Sequence, residues 1–142
     1  MDDIIRPGDL HKVAQEKEMT RAREIADAEK RRADERHHLQ EAFVNRELHP
    51  EVKTRVSTAL RAAAERGETQ FRVMTFPSEL CKDGGRAINN GDPHWPNTLI
   101  GFAARAYEFY HKELQPHGYK LRAEILDFPG GMPGEVGITI SW

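Results

Sequence analysis

From Leu10 to Arg46 the chain contains neither proline nor glycine. Ala, Glu, Lys, Arg and Gln dominate this run, and these are the residues that lose least on entering a helix. Opposite charges recur one helical turn apart at Lys12/Glu16, Arg23/Asp27, Asp27/Arg31, Lys30/Asp34 and Arg31/Glu35. Each such pair adds only about 0.2–0.5 kcal/mol, but their number favours one long helix. Its apolar positions are sparse: Val13, Met19, Ala22, Ile25, Ala26, Ala33, Leu39 and Phe43. No sustained a/d heptad runs through them. Burial in its own domain cannot hold a helix this polar. The segment is expected to be solvated, paired with a partner helix through a weak seam, or disordered when alone. Pro7-Gly8 separates residues 1–8, read as frayed, from Asp9, a candidate N-cap.

The remainder must then supply the core. Residues 11–47 hold nine Lys/Arg and nine Asp/Glu, and most large apolar residues lie after Val52. Residues 1–47 therefore read as a charged helical arm for self-association or partner contact, and 48–142 as a compact domain. The net charge of −2 gives no basic footprint for nucleic acid. Lys30-Arg31-Arg32 and Arg36 are interleaved with Glu29, Asp34 and Glu35, so the local sum is near neutral. His37-His38 reads as part of a solvated face. One cysteine, Cys81, excludes an internal disulfide and a multi-cysteine zinc site. The opening MDDIIRPGDL lacks a basic region followed by an apolar run, and no apolar stretch is long enough for a membrane span. A reduced, cytoplasmic setting is the expectation.

Helical and extended periods alternate after residue 48. Val52, Val56, Ala59, Leu60 and Ala63 share one helical face, with Pro50 at its start and Gly67 as its stop. Residues 69–76 read as a strand with Phe71, Val73 and Thr75 on one side and Arg72, Met74 and Phe76 on the other, ended by Pro77. A second helix is expected from Pro96 to Leu114. Residues 119–128 and 135–142 alternate around PGGMPG and predict an antiparallel hairpin. The fold class is α+β: a long charged helix, then an α-β-α-β-β domain. A strand–helix–strand crossover favours a small three-stranded mixed sheet with helices on one face. Arg72, Lys120, Arg122, Glu124, Thr139 and Ser141 would line the other face, which would be polar and wet.

The connection SELCKDGGRAINNGDPHWPN, residues 78–97, is longer and more polar than a simple link requires. Backbone amides around Asp83-Gly84-Gly85-Arg86 could cradle an anion, although no phosphate-loop spacing is present. Cys81 and His94 are the residue types of a nucleophile and its base, but nothing in the sequence brings them together. Phe-Pro ends two strands, at 76–77 and at 128–129. If those strands run the same way, their following loops share one rim. The candidate ligand site is that rim: Cys81, Asp83, Gly84, Gly85, Arg86, Asn89, Asn90 and His94 from one loop, with Asp127 and Met132 from the other. No catalytic residue, metal ligand or cofactor is assigned. The favoured function is a non-enzymatic binding or interaction module that self-associates through residues 10–46. The alternative is a small-molecule or anion-binding domain, or a small enzyme, with its site at the 78–97 and 127–134 loops.

Overall fold

The computed structural model describes residues 4–142. It divides into two compact units, one ending at Glu41 and the other covering Ala42–Trp142. The first unit is helix α1, Pro7–Asn45, without its last turn. The helix starts at Pro7, at the position where a missing N–H costs nothing, so Asp9 sits inside the first turn rather than capping it. Residues 1–3 of the stretch read as frayed lie outside the described residues. Leu10, Val13, Met19, Ile25 and Leu39 are each more than half exposed. Among the described residues, the five Lys/Arg–Asp/Glu pairs expected from the spacing do not close to 4.0 Å. The side-chain pair that does close on α1 is His37 Nε2 with Glu41 Oε1, at 2.9 Å.

The second unit contains helix α2 (Val52–Glu65), strand β1 (Gln70–Pro77), a one-turn helix α3 (Arg86–Asn89), helix α4 (Gly101–Phe109), strand β2 (Lys120–Ile125) and strand β3 (Glu135–Ser141). The α+β class and the order of the main elements are those the sequence predicts. The strand pairing is different. The sheet order is β1-β3-β2, and both pairings are antiparallel. β1 and β2 run the same way but never touch, because β3 returns between them. The sheet is therefore antiparallel rather than mixed. The crossover still joins two strands of like direction, and the hairpin strand takes the space between them.

Register fixes two chemically distinct faces. Phe71–Ile140–Leu121, Met74–Ile138–Ala123 and Phe76–Val136–Ile125 align across the sheet. Phe76, Val136 and Ile138 of these rows join Leu80, Ile88, Leu99 and Ala103 in one core cluster. The register of β1 shifts between Arg72 and Met74, a bulge at Val73. A bulge adds one residue and reverses the alternation beyond it. Met74 and Phe76 thereby join Phe71 on the core side, which simple alternation assigns to opposite faces. On the other face Arg72 and Arg122 both approach Glu124, at 3.9 and 3.8 Å. Arg72, Lys120 and Arg122 are exposed, whereas Thr139 on the central strand is buried.

The expected helix from Pro96 is broken. Trp95–Thr98 forms a 3₁₀ turn, Leu99 and Ile100 are extended, and Gly101, the first residue of α4, takes φ +56°. Leu99 pairs with Cys81 in an isolated antiparallel bridge, and Lys82 N donates to Thr98 O at 2.8 Å. That pairing requires extended backbone where a continuous helix would run. A Cβ on Gly101 would lie 2.6 Å from Val44 Cα and 2.8 Å from Phe43 O, so only glycine permits this approach.

The last turn of α1 belongs to the second unit. Phe43 packs on Phe76 and Phe102, with ring centroids 5.6 and 6.3 Å away. Arg105 Nη1 donates to Val44 O at 2.8 Å and to Arg46 O at 2.9 Å, capping carbonyls that a helix end leaves unpaired. The Arg46 guanidinium lies 4.0 Å from the Phe102 ring centroid. The compact unit thus starts about six residues before the boundary read at 47/48. We predict that a fragment of residues 42–142 folds cooperatively. Phe43→Ala should remove about 2–3 kcal/mol, lowering Tm by roughly 8–20 °C for a unit of this size. A calorimetric Tm unchanged in Phe43→Ala would show that this ring is not part of the core.

Candidate functional site

The two loops of the predicted rim do meet. β1 and β2 end at the same edge of the sheet, since Pro77 pairs with Glu135 and Ile125 with Val136. Ser78 N donates to Gly134 O at 2.8 Å, and Ser78 Oγ donates to Pro133 O at 2.7 Å. Gly85 sits in the junction at φ +86°, where a Cβ would come within 2.9 Å of Ser78 Cβ and 3.3 Å of Ile125 Cδ1.

The polar groups at this edge are largely occupied by the loops themselves. Asp83 accepts from Gly85 N at 3.0 Å and from Ala87 N at 2.9 Å, which holds the start of α3. Asp127 Oδ1 accepts from Glu135 N at 2.7 Å, and Asp127 O accepts from Gly134 N at 3.0 Å. Both aspartates of the predicted site therefore brace backbone turns. Gly84, Arg86, Asn89, Asn90 and His94 are exposed, and so is Met132. Asp92 Oδ1 accepts from His94 N at 2.8 Å, a local turn ahead of the Trp95 segment.

Cys81 faces inward. It is buried in the core cluster, and burial, with Asp83 nearby, pushes its thiol up to about 11 against a weaker opposing hydrogen bond with Thr98. A nucleophilic cysteine needs the thiolate, and this environment favours the neutral thiol. Among the described residues no hydrogen bond joins Cys81 to His94, and no group of three or more His, Cys, Asp or Glu converges on a metal position. The long connection instead packs Leu80, Cys81, Ile88 and Leu99 beneath the sheet edge.

The exposed face of α1 is organised differently from the stripe read off the sequence. At about 100° per residue, Leu10, Ala14, Arg21, Ile25, Ala28, Arg32 and Leu39 fall within a sector about 60° wide. No acidic residue lies in that sector. Its spacing is mirrored about the point between Ala26 and Asp27: Ala14 with Leu39, Arg21 with Arg32, Ile25 with Ala28. Lys17 and Glu35 flank one side, and Glu18 and Arg36 flank the other. A helical projection of the sequence contains this arrangement. Ala14, Arg21 and Ala28, and Ile25, Arg32 and Leu39, each recur every seven residues, but a search for apolar heptads misses them because Arg21 and Arg32 hold two of the positions.

No family model, curated protein or solved structure matches the chain. Among the described residues no helix is long and apolar enough to cross a membrane.

Two outcomes follow from the loop junction. Gly85→Ala should destabilise the chain by about 1–3 kcal/mol, seen as a lower urea midpoint at unchanged slope. Cys81 holds its proton more tightly folded than unfolded. Its contribution is therefore neutral below about pH 9, and stability falls as pH rises from there toward 11. In urea titrations at pH 8 and pH 10.5, Cys81→Ala should lose less stability between the two than the parent chain does. An equal loss in both would place the thiol in a water-like environment.

Proposed function

We propose that this chain is a binding protein that self-associates through α1, two copies lying antiparallel along the mirrored seam. One observation carries the reading: α1 is a 39-residue helix with no buried residue and with apolar side chains spaced symmetrically along one narrow face. In an antiparallel pair centred between Ala26 and Asp27, Ile25 meets Ala28 and Ala14 meets Leu39. Lys17 meets Glu35 of the second copy on one flank, and Glu18 meets Arg36 on the other. Each of these contacts occurs twice, by the two-fold symmetry of the pair.

In a parallel pair the flanks interchange and Lys17 would meet Glu18, so the flanking charges accept either direction. The antiparallel one is favoured because it sets each large apolar residue, Ile25 and Leu39, against an alanine, Ala28 and Ala14. Arg21 and Arg32 oppose each other in the seam. Acids one turn away on each helix, Glu18 and Glu24 for Arg21 and Glu29 and Glu35 for Arg32, draw their heads outward. That opposition, with the thin apolar stripe, makes the association weak and reversible. The rim supports a ligand reading less well, because its two aspartates and Ser78 are already engaged within the loops.

Sedimentation velocity tests the proposal. The full chain should show a concentration-dependent dimer, and residues 42–142 should remain monomeric at the same concentrations. Lys17→Glu turns two attractive contacts into repulsive ones and should weaken the dimer by about tenfold at low salt. Adding Glu35→Lys should restore it. A fragment of residues 42–142 that dimerises as well as the full chain would overturn the reading.

A further inference from the structure

The second unit holds a partly open apolar cavity of about 200 Å³ between the core face of the sheet and its helices. Met74, Leu121 and Ile138 form its floor, Val52 and Val56 of α2 one wall, and Phe102 and Ala106 of α4 another. No charged residue lines it. Protein interiors are close-packed and contain few voids larger than a water molecule. An apolar cavity of about 150 Å³ stays dry and admits benzene. This one is larger, in a unit of about 100 residues.

The backbone beside it is unusual. After α4 the chain continues as a π-helical turn, Tyr110–Leu114, before a 3₁₀ turn at Gln115–His117. Single π-helical turns are rare and concentrate at functional sites. Both ends of this turn, Tyr110 and Leu114, line the cavity, as do Tyr107 and Phe109 just before it. Tyr110 Oη donates to Tyr119 O at 2.7 Å, which ties the widened turn to the start of β2. Burial, with Tyr107 alongside, raises the Tyr110 phenol above its ordinary range and keeps it neutral.

The wall is rich in aromatic rings. Trp95 meets Tyr107 edge to face at 6.0 Å, and Tyr107 lies 6.2 Å from Tyr110. Trp95, Tyr107 and Phe109 are only half-buried, so the cavity's outer wall is reachable from solvent. Among the lining side chains the polar atoms are Trp95 Nε1 and the phenols of Tyr107 and Tyr110. Such a site rewards shape and ring stacking and rejects charge, which nothing inside would neutralise.

We propose that this cavity is a binding site for a small neutral aromatic molecule of one or two fused rings. The site is separate from the seam on α1, and either can fail without the other. The test is a titration of the full chain with indole, followed by methyl and aromatic NMR shifts, with benzoate as the charged control. Saturable shifts are expected at Val52, Leu121 and Ile138, with a rise in Tm and no response to benzoate. Ala106→Leu fills part of the space and should weaken indole binding at least tenfold while leaving Tm equal or higher. Absence of shifts at those residues up to the solubility limit of indole would overturn the proposal. So would shifts that Ala106→Leu leaves unchanged, or an equal response to benzoate.

Discussion

Strand β3 is the constraint on which the folded unit depends. Among the described residues it is the only strand bonded on both edges, and Val136, Gly137, Ile138, Thr139 and Ile140 are all buried. Its register sets the rows of the sheet and so decides which side chains reach the core. It also decides where the loops go. Because β3 runs against both neighbours, β1 and β2 must end at the same edge. The 78–97 and 126–134 connections are then brought together whatever their own composition. A slip of one residue in β3 would turn Val136, Ile138 and Ile140 toward the polar face, and the Leu126 side chain packed over Gly137 would have to move for any residue bearing a Cβ.

The second dependence is on the last turn of α1. Phe43 completes the aromatic group with Phe76 and Phe102, while Arg105 takes up the carbonyls of Val44 and Arg46. Gly101 allows α4 to start directly against that turn. A helix that is polar along most of its length therefore has an end built for packing. The transition falls where the charged composition gives way to Ala42-Phe43-Val44. The proposed seam and the core contacts divide along one continuous helix: the seam lies in residues up to Glu41, and the next turn carries core contacts.

Much of this architecture was legible from local patterning. The long helix follows from the absence of breakers, the hairpin from alternation around a Gly/Pro turn, and the polar sheet face from Arg72, Lys120 and Arg122 alternating with apolar neighbours. The shared rim was also legible, since it needs only two strands of like direction. What escaped was non-local. The insertion of β3 between β1 and β2 depends on pairing between segments some sixty residues apart. The bulge at Val73 leaves no mark in an otherwise regular alternation. The break before Gly101 exists because Leu99 pairs with Cys81, a contact invisible from either segment alone. The candidate site residues illustrate the same limit: Asp83 and Asp127 have the composition of a ligand site, but their partners are backbone amides. Cys81 is a core residue, and His94 lies in an exposed turn.

The antiparallel seam is the central claim, and a distance across the pair tests it directly. A single spin label at Lys12→Cys, on a Cys81→Ala background, lies on the helix face opposite the seam. In the proposed pair the two labels are displaced along the axis by 29 residues, about 44 Å at 1.5 Å per residue. The labels also stand about 20 Å apart across the pair, so pulsed electron resonance on the full chain should give a distance of about 50 Å. A label moved to Asp27→Cys, beside the two-fold axis, should give a short one, on the order of 20 Å for helices packed 8–10 Å apart. Short distances from both labels would mean a parallel pair and would contradict the antiparallel seam. No dipolar signal from either, at concentrations where the chain sediments as a dimer, would place the interface elsewhere.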